Sequence, residues 1–164
     1  MQLDVDIFTL FDKDWALLTA GTAEHFNTMT VSWGALGTLW SRPAATVYVK
    51  PIRYTHAFME ENEYFTVSFF PKKYKKDLLL LGTKSGRDGD KLALTSLTPE
   101  ALPGAVTYKE AELTLLCRKM YHAEMDKSAM PGEAIEEYYE SEAPHTLYIG
   151  EVVEIIRADA ADDR

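Results

Sequence analysis

The chain has 164 residues, of which 46% are apolar and 26% charged, a balance that is typical of a folded globular protein and excludes a disordered or fibrous one. Its formal net charge of −9 excludes a general nucleic-acid or membrane-binding surface, because such surfaces need a broad positive potential. The apolar stretches are too short to span a bilayer, and the acidic start at residues 1–6 lacks the basic residues of a signal peptide. We therefore expect a cytoplasmic protein that folds as one domain over residues 1–164.

Strands are predicted wherever apolar and polar side chains alternate or β-branched and aromatic residues are concentrated. The clearest case is 28–33, where hydroxyl groups and large apolar groups occupy opposite faces. In chain order, the predicted strands cover residues 15–19, 28–33, 45–49, 64–69, 113–121 and 146–156.

Helices are predicted to be few and short, at residues 55–61, 74–81, 90–94 and 132–139. They do not alternate regularly with the strands, as a doubly wound α/β fold would require. The sequence therefore predicts a mainly β protein, an antiparallel barrel that is closed or partly closed. The acidic tail 158–164 is expected to fray.

The sequence contains no self-contained catalytic motif. The four histidines, at 25, 56, 122 and 145, show no metal-ligand spacing, so no metal site is predicted. Residues 82–86 lack the upstream glycine of a phosphate-binding P-loop. Cys117 is the only cysteine and is expected to be a half-buried thiol without chemistry.

Two segments of this acidic chain combine cations, hydroxyl groups and a turn, namely residues 50–55 and 83–91. Guanidinium groups, hydroxyls and free backbone N–H groups at a helix start can hold a phosphate monoester, and Thr55 opens a predicted helix. From the residues alone, two solvated turns are an equally good interpretation.

The hydroxyl face of the predicted strand 28–33 is also a candidate ligand-binding surface. It runs into small residues at 34–37, where Gly34 and Gly37 permit a planar ligand to approach the backbone closely. The tryptophans Trp33 and Trp40 fit two interpretations, core packing or ring stacking, and core packing is the more common.

The order and spacing of several short segments resemble the flavin reductase-like, FMN-binding split-barrel family, which includes the flavoredoxins. The segments are NTMTVSWG at 27–34, RP at 42–43, RYT at 53–55, FTVSFF at 65–70, SGRDGDK at 85–91 and TLYIGEV at 146–152.

This resemblance implies a six-stranded antiparallel Greek-key split barrel that forms a homodimer, with FMN near the subunit interface. It implies that the isoalloxazine ring is lined by Thr30, Val31, Ser32 and Trp33. It further implies two groups of residues around the ribityl phosphate: Ser41, Arg53, Tyr54 and Thr55, and then Ser85, Gly86, Arg87 and Lys91. His145 and Tyr148 would border the nicotinamide side, where Pro144 replaces a charged residue that is frequent in the family.

Three functions follow as hypotheses. The first is a flavin reductase in which NADH or NADPH gives a hydride to the flavin, the flavin itself supplying the difficult chemistry. The second is a non-enzymatic FMN electron carrier that resembles flavoredoxin and exchanges electrons with a redox partner protein. The third is a storage module for flavin or haem on the same barrel.

Overall fold

The computed structural model describes residues 1–158, and strands dominate it. The strands are β1 Ala16–Thr22, β2 His25–Val31, β3 Gly34–Leu39, β4 Arg42–Val49, β5 Tyr64–Phe69, β6 Pro99–Leu102, β7 Ala105–Tyr108, β8 Leu113–Glu124 and β9 Thr146–Arg157. The α-helices are α1 Ile7–Thr9, α2 Tyr54–Glu61, α3 Lys75–Thr83 and α4 Gly132–Tyr138. The predicted mainly β class is confirmed, and every strand pair is antiparallel.

Seven strands form one sheet in the order β2-β1-β5-β8-β9-β4-β3, and β6 and β7 form a separate pair. The two outermost strands, β2 and β3, are joined through only Ser32 and Trp33. Because three extended residue steps reach about 11 Å at most, the sheet must curl until its edges approach each other. The result is a barrel with one strand more than the six predicted, since β3 also pairs with β4.

The inside of the barrel is filled by side chains that alternate along its strands, among them Phe65, Val67 and Tyr148, all fully buried. A second apolar cluster packs α3 against the outside of β1, through Leu17, Leu78 and neighbouring residues. The interpretation of Cys117 as half-buried was wrong, because its side chain lies fully inside the barrel. Burial raises the pKa of this thiol, which makes it unreactive.

Buried hydroxyl groups tie the β6–β7 pair to the sheet. The Tyr108 hydroxyl lies 3.0 Å from Thr19 Oγ1, which in turn donates to Thr28 Oγ1 at 3.0 Å. Replacing Tyr108 with phenylalanine is expected to lower the free energy of unfolding by about 1–2 kcal/mol, since a buried hydrogen bond is lost. Urea denaturation measures the change, and Tyr64→Phe is the control, because Tyr64 is only half-buried and takes no part in the hydrogen bonds among Tyr108, Thr19 and Thr28. An equal loss in both variants would contradict the network's role.

Three elements meet at one edge of the barrel. The edge strand β2 packs against α3, and the Thr30 hydroxyl donates to the Leu78 carbonyl oxygen. Four residues connect β4 to the start of α2, and the loop after α3 passes beside β2 and the start of α2. In that loop the predicted helix at 90–94 is only a short 3₁₀ turn, Leu92–Leu94.

At the C-terminal end, the Ala158 N–H donates to the Glu112 carbonyl oxygen at 3.2 Å, so the chain is still held at this residue. The rest of the tail expected to fray, 159–164, lies outside the described residues. Within residues 1–158 no helix has the length and apolar character needed to cross a membrane.

Candidate functional site

A cleft of about 420 Å³ opens where β2, the start of α2 and the loop after α3 meet. Both cationic segments found in the sequence contribute to it, so the structure brings 50–55 and 83–91 together. Its lining residues are Asn27, Met29, Lys50, Ile52, Arg53, Tyr54, Thr55, Thr83, Lys84, Ser85, Gly86, Arg87, Lys91 and Glu142.

Arg53 stands directly before α2, where its extended backbone begins the helix. Its guanidinium donates from both terminal nitrogens to the Gly82 carbonyl oxygen, at 3.3 and 3.2 Å, which holds it over the cleft. Burial lowers the pKa of Arg53 below its usual value, although the group stays charged. Because α2 begins at Tyr54, the N–H groups of Tyr54 and Thr55 have no acceptor within the helix, and both residues line the cleft.

Lys91 is the second cation of the cleft and is buried, with only 6% of its surface exposed, whereas Arg53 is half-buried. Its ammonium donates to the carbonyl oxygens of Leu81 at 2.9 Å and Lys84 at 3.0 Å. An ammonium has three N–H donors, so one remains for a ligand. Burial, together with the like charge of Arg53, lowers the pKa of Lys91 to about 8.

These cations have no charged partner. Within residues 1–158, no carboxylate lies in ion-pair distance of Arg53, Arg87 or Lys91. Carbonyl oxygens satisfy some of their donors but cannot neutralise their charge. Two like charges that are removed from water, even in part, and lie near each other are costly unless an anion offsets them. The donor set therefore fits a phosphate monoester, which is dianionic at neutral pH.

The loop that carries Lys91 adds further groups. Ser85 caps a short turn by accepting from the Arg87 N–H at 3.2 Å, which leaves the serine O–H able to donate. Arg87 lies over the Tyr54 ring at 5.2 Å and donates to the Ile52 carbonyl oxygen at 2.8 Å. Gly86 packs so tightly that a Cβ there would meet Asn27 Oδ1 at 2.2 Å.

The rest of the cleft is lined by Lys50, from the cationic segment 50–55, and by Glu142, Asn27 and Met29, which were not among the sequence-based candidates. Lys50 forms an ion pair with Glu142 and also donates to the Tyr138 carbonyl oxygen at 3.3 Å. Asn27 and Met29 reach the cleft from β2. The alternation along β2 could have identified Asn27 and Met29, because both lie on the face opposite to the hydroxyl residues Thr28 and Thr30.

The hydroxyl face of β2 does not meet the cleft as expected. The Thr28 hydroxyl donates to the Leu18 carbonyl oxygen at 3.1 Å, and the Thr30 hydroxyl bonds to α3. Val31 packs inside the barrel with 6% exposure. Gly34 leaves space for the Phe11 ring, which a Cβ would meet at 2.4 Å, rather than for a ligand. At positions 30 and 31, therefore, only backbone groups are free for a cofactor.

The remaining ring-side candidates, Ser32 and Trp33, and the phosphate-side candidate Ser41 do not line the cleft. Ser32 and Trp33 line a separate apolar groove with the N-terminal segment. Ser41 lies in the β3–β4 turn, away from the cleft residues, and both it and Trp40 have left-handed backbone conformations, with φ of 59° and 49°. Neither tryptophan is in the core, since Trp33 is 42% and Trp40 64% exposed.

The side chains of His145 and Tyr148 lie in different parts of the structure. His145 Nδ1 lies 2.6 Å from the Tyr139 hydroxyl, and burial lowers the pKa of His145 to about 4, so the imidazole is neutral at pH 7. Its ring lies 5.6 Å from that of Trp33. Tyr148 instead extends through the barrel core, and its hydroxyl donates to the Glu60 carboxylate.

Comparison with known proteins supplies the context for this cleft. The model of the flavin reductase-like domain family matches residues 9–164. An uncharacterized protein of Archaeoglobus fulgidus is 28% identical over 149 residues, which is 90% of this chain and 73% of the relative.

Solved structures share the fold at low sequence identity. The flavoredoxin of Methanosarcina acetivorans superposes with a TM-score of 0.70 at 22% identity, covering 97% of this chain and 76% of that one. An FMN-binding protein of Thermus thermophilus gives 0.70 at 20% identity, covering 100% and 83%. The NADH:FAD oxidoreductase of Streptomyces globisporus gives 0.68 at 18% identity, covering 92% and 79%. These likenesses identify the fold as the split barrel.

Proposed function

Because the chain belongs to the flavin reductase-like family, we propose that it binds FMN in the cleft and transfers electrons through it, as an NAD(P)H-dependent flavin reductase. The observation that carries the proposal is the pair of cations, the buried Lys91 and the half-buried Arg53, which have no carboxylate partner within residues 1–158. The names of the Thermus and Streptomyces proteins, an FMN-binding protein and an NADH:FAD oxidoreductase, support the same class.

In this proposal Arg53, Lys91 and the Ser85–Arg87 turn hold the phosphate. The start of α2 adds the N–H groups of its first turn and the Thr55 hydroxyl. Lys50 and the edge strand β2, whose outer backbone groups are not paired within the sheet, would then border the flavin ring. When bound, FMN accepts a hydride and passes the electrons to an acceptor, and the protein orients it and limits its contact with water.

The visible spectrum of the purified protein tests this function. We expect flavin absorption after reconstitution with FMN and gel filtration, followed by bleaching when NADH or NADPH is added without oxygen. Riboflavin, which lacks the phosphate, should be retained much less. A protein that retains neither flavin, or both equally, would contradict the phosphate site.

One observation favours the electron-carrier alternative. His145, the residue expected on the nicotinamide side, is only 9% exposed and is covered by Tyr139. In a carrier, FMN remains bound and electrons arrive from a redox partner protein. Tight retention of FMN without oxidation of either nicotinamide nucleotide would favour this function over the reductase, and a haem spectrum without flavin bands would favour storage.

We also propose that the protein is a homodimer. Its apolar groove of about 900 Å³, between the N-terminal segment and β3, lies beside exposed side chains such as Phe8, which is 88% exposed. Such patches on soluble proteins mark interaction sites. Sedimentation equilibrium is expected to give twice the 18.5 kDa monomer mass, and Phe8→Ser to shift it toward the monomer. A monomeric wild type at high micromolar concentration would exclude the dimer.

A further inference from the structure

The Thr55 hydroxyl is a buried group whose hydrogen has no acceptor within residues 1–158. The residue is 1% exposed and lines the cleft. Its one hydrogen bond within residues 1–158 is accepted by Oγ1 from Asn27 Nδ2 at 2.8 Å. A hydroxyl both donates and accepts, and here only the accepting side is used. Buried donors normally have a partner, so the unused O–H points to a ligand acceptor.

The Asn27 side chain determines the direction of this hydrogen bond. An amide NH₂ can only donate, so Thr55 Oγ1 must accept and its hydrogen must point away from Asn27. The amide is wedged in place: Asn27 is 8% exposed, and a Cβ on Gly86 would lie 2.2 Å from its Oδ1 and 3.0 Å from its Cγ. The Asn27 amide can therefore occupy this position only because residue 86 has no side chain.

We propose that Asn27 is a positioning residue that fixes the Thr55 hydroxyl as a hydrogen-bond donor to the bound phosphate. Arg53 precedes Thr55 by two residues, and Lys91 lines the same cleft, so the donor and the two charges act on one anion. A hydroxyl that is aligned before binding loses no rotational freedom when the phosphate arrives, which favours FMN over riboflavin. This inference rests on the proposed function and names a residue absent from the sequence-based site.

The test compares affinities for FMN and riboflavin, measured by quenching of flavin fluorescence in titrations of the apoprotein. The ratio of the two affinities reports the phosphate contacts, whereas a general loss of packing lowers both values together. Thr55→Val is expected to lower the ratio by about tenfold or more, since a hydrogen bond to a charged group is lost. Asn27→Ala should lower it several-fold in the wild type and leave it unchanged in the Thr55→Val background.

Asn27→Asp keeps the shape of the side chain and reverses the hydrogen bond, because the carboxylate accepts from Thr55. It is expected to lower the FMN-to-riboflavin ratio more than Asn27→Ala does, and to weaken displacement of FMN by inorganic phosphate. This near-isosteric variant provides the test if the alanine variant folds poorly. Asn62→Ala is the matched control, since Asn62 donates to the Phe58 carbonyl oxygen at the other end of α2, and it should leave the ratio unchanged.

Two failures are distinguishable. If wild-type protein binds FMN and riboflavin equally, the phosphate site itself is misplaced. If wild type prefers FMN and Asn27→Ala changes the ratio equally with and without the Thr55 hydroxyl, or not at all, then Asn27 does not act through Thr55 and the inference is overturned.

Discussion

Replacing Arg53 and Lys91 together with glutamine is expected to weaken FMN binding by on the order of 100-fold or more. Each charged group supplies a charge-assisted contact to the phosphate, typically about 1.5–3 kcal/mol. The two effects need not add, because the groups share one ligand. The free energy of unfolding should change little, because the loss of hydrogen bonds to carbonyl oxygens is offset by the removal of two neighbouring like charges, of which Arg53 lowers the pKa of Lys91.

The same titrations provide the controls for this variant. Riboflavin affinity should change little, because riboflavin carries no phosphate. The double variant Lys72→Gln with Lys73→Gln removes the same charge from an exposed turn outside the cleft. If the two double variants lose FMN affinity equally, the effect is one of overall charge and the assigned phosphate site is wrong.

FMN affinity is also expected to fall as the pH rises above about 8, where the free protein loses the Lys91 proton. The protonated ammonium binds the phosphate, so binding raises the pKa of Lys91 and takes up a proton at alkaline pH. Affinity should therefore be constant just below that pKa and decrease by about tenfold per pH unit above it. The FMN phosphate does not titrate in this range, because its second pKa is about 6.

Isothermal titration calorimetry in buffers of different ionisation enthalpy measures both the affinity and the proton uptake. In Lys91→Arg the guanidinium stays charged, so the affinity should be flat between pH 7 and about 10. A wild-type profile without a decrease, or an arginine variant that retains it, would show that another group titrates.

Much of the fold could be predicted because its strands alternate clearly. The segments 45–49, 64–69 and 113–121 all lie within observed strands. The strand β3 was missed because Gly34–Leu39 contains small residues and is largely half-exposed, so no apolar face marks it. Its existence depends on pairing with β4, a long-range contact that local pattern does not encode.

The candidate site, like the fold, could be predicted from the sequence only in part. The cationic segments of this acidic chain indicated the part of the cleft that is proposed to bind phosphate, because isolated cations near the start of a helix have few structural uses. The sequence did not predict which face of β2 meets the cleft, since alternation shows which side chains share a face but not which face is exposed to the cleft. The hydroxyls of Thr28 and Thr30 are used in internal hydrogen bonds, and Asn27 and Met29 face the ligand space instead.

The connection between β8 and β9 has a consequence for engineering. The strands remain in register up to Glu124 and Thr146, and the Met125 N–H donates to the His145 carbonyl oxygen at 3.0 Å, so both ends of the excursion are fixed side by side. The residues between them, including α4, reach the Lys50 end of the cleft without adding a strand to the barrel. We therefore expect that a segment of another length or charge, grafted in place of 126–144, leaves the barrel folded and alters which molecules reach the proposed flavin site.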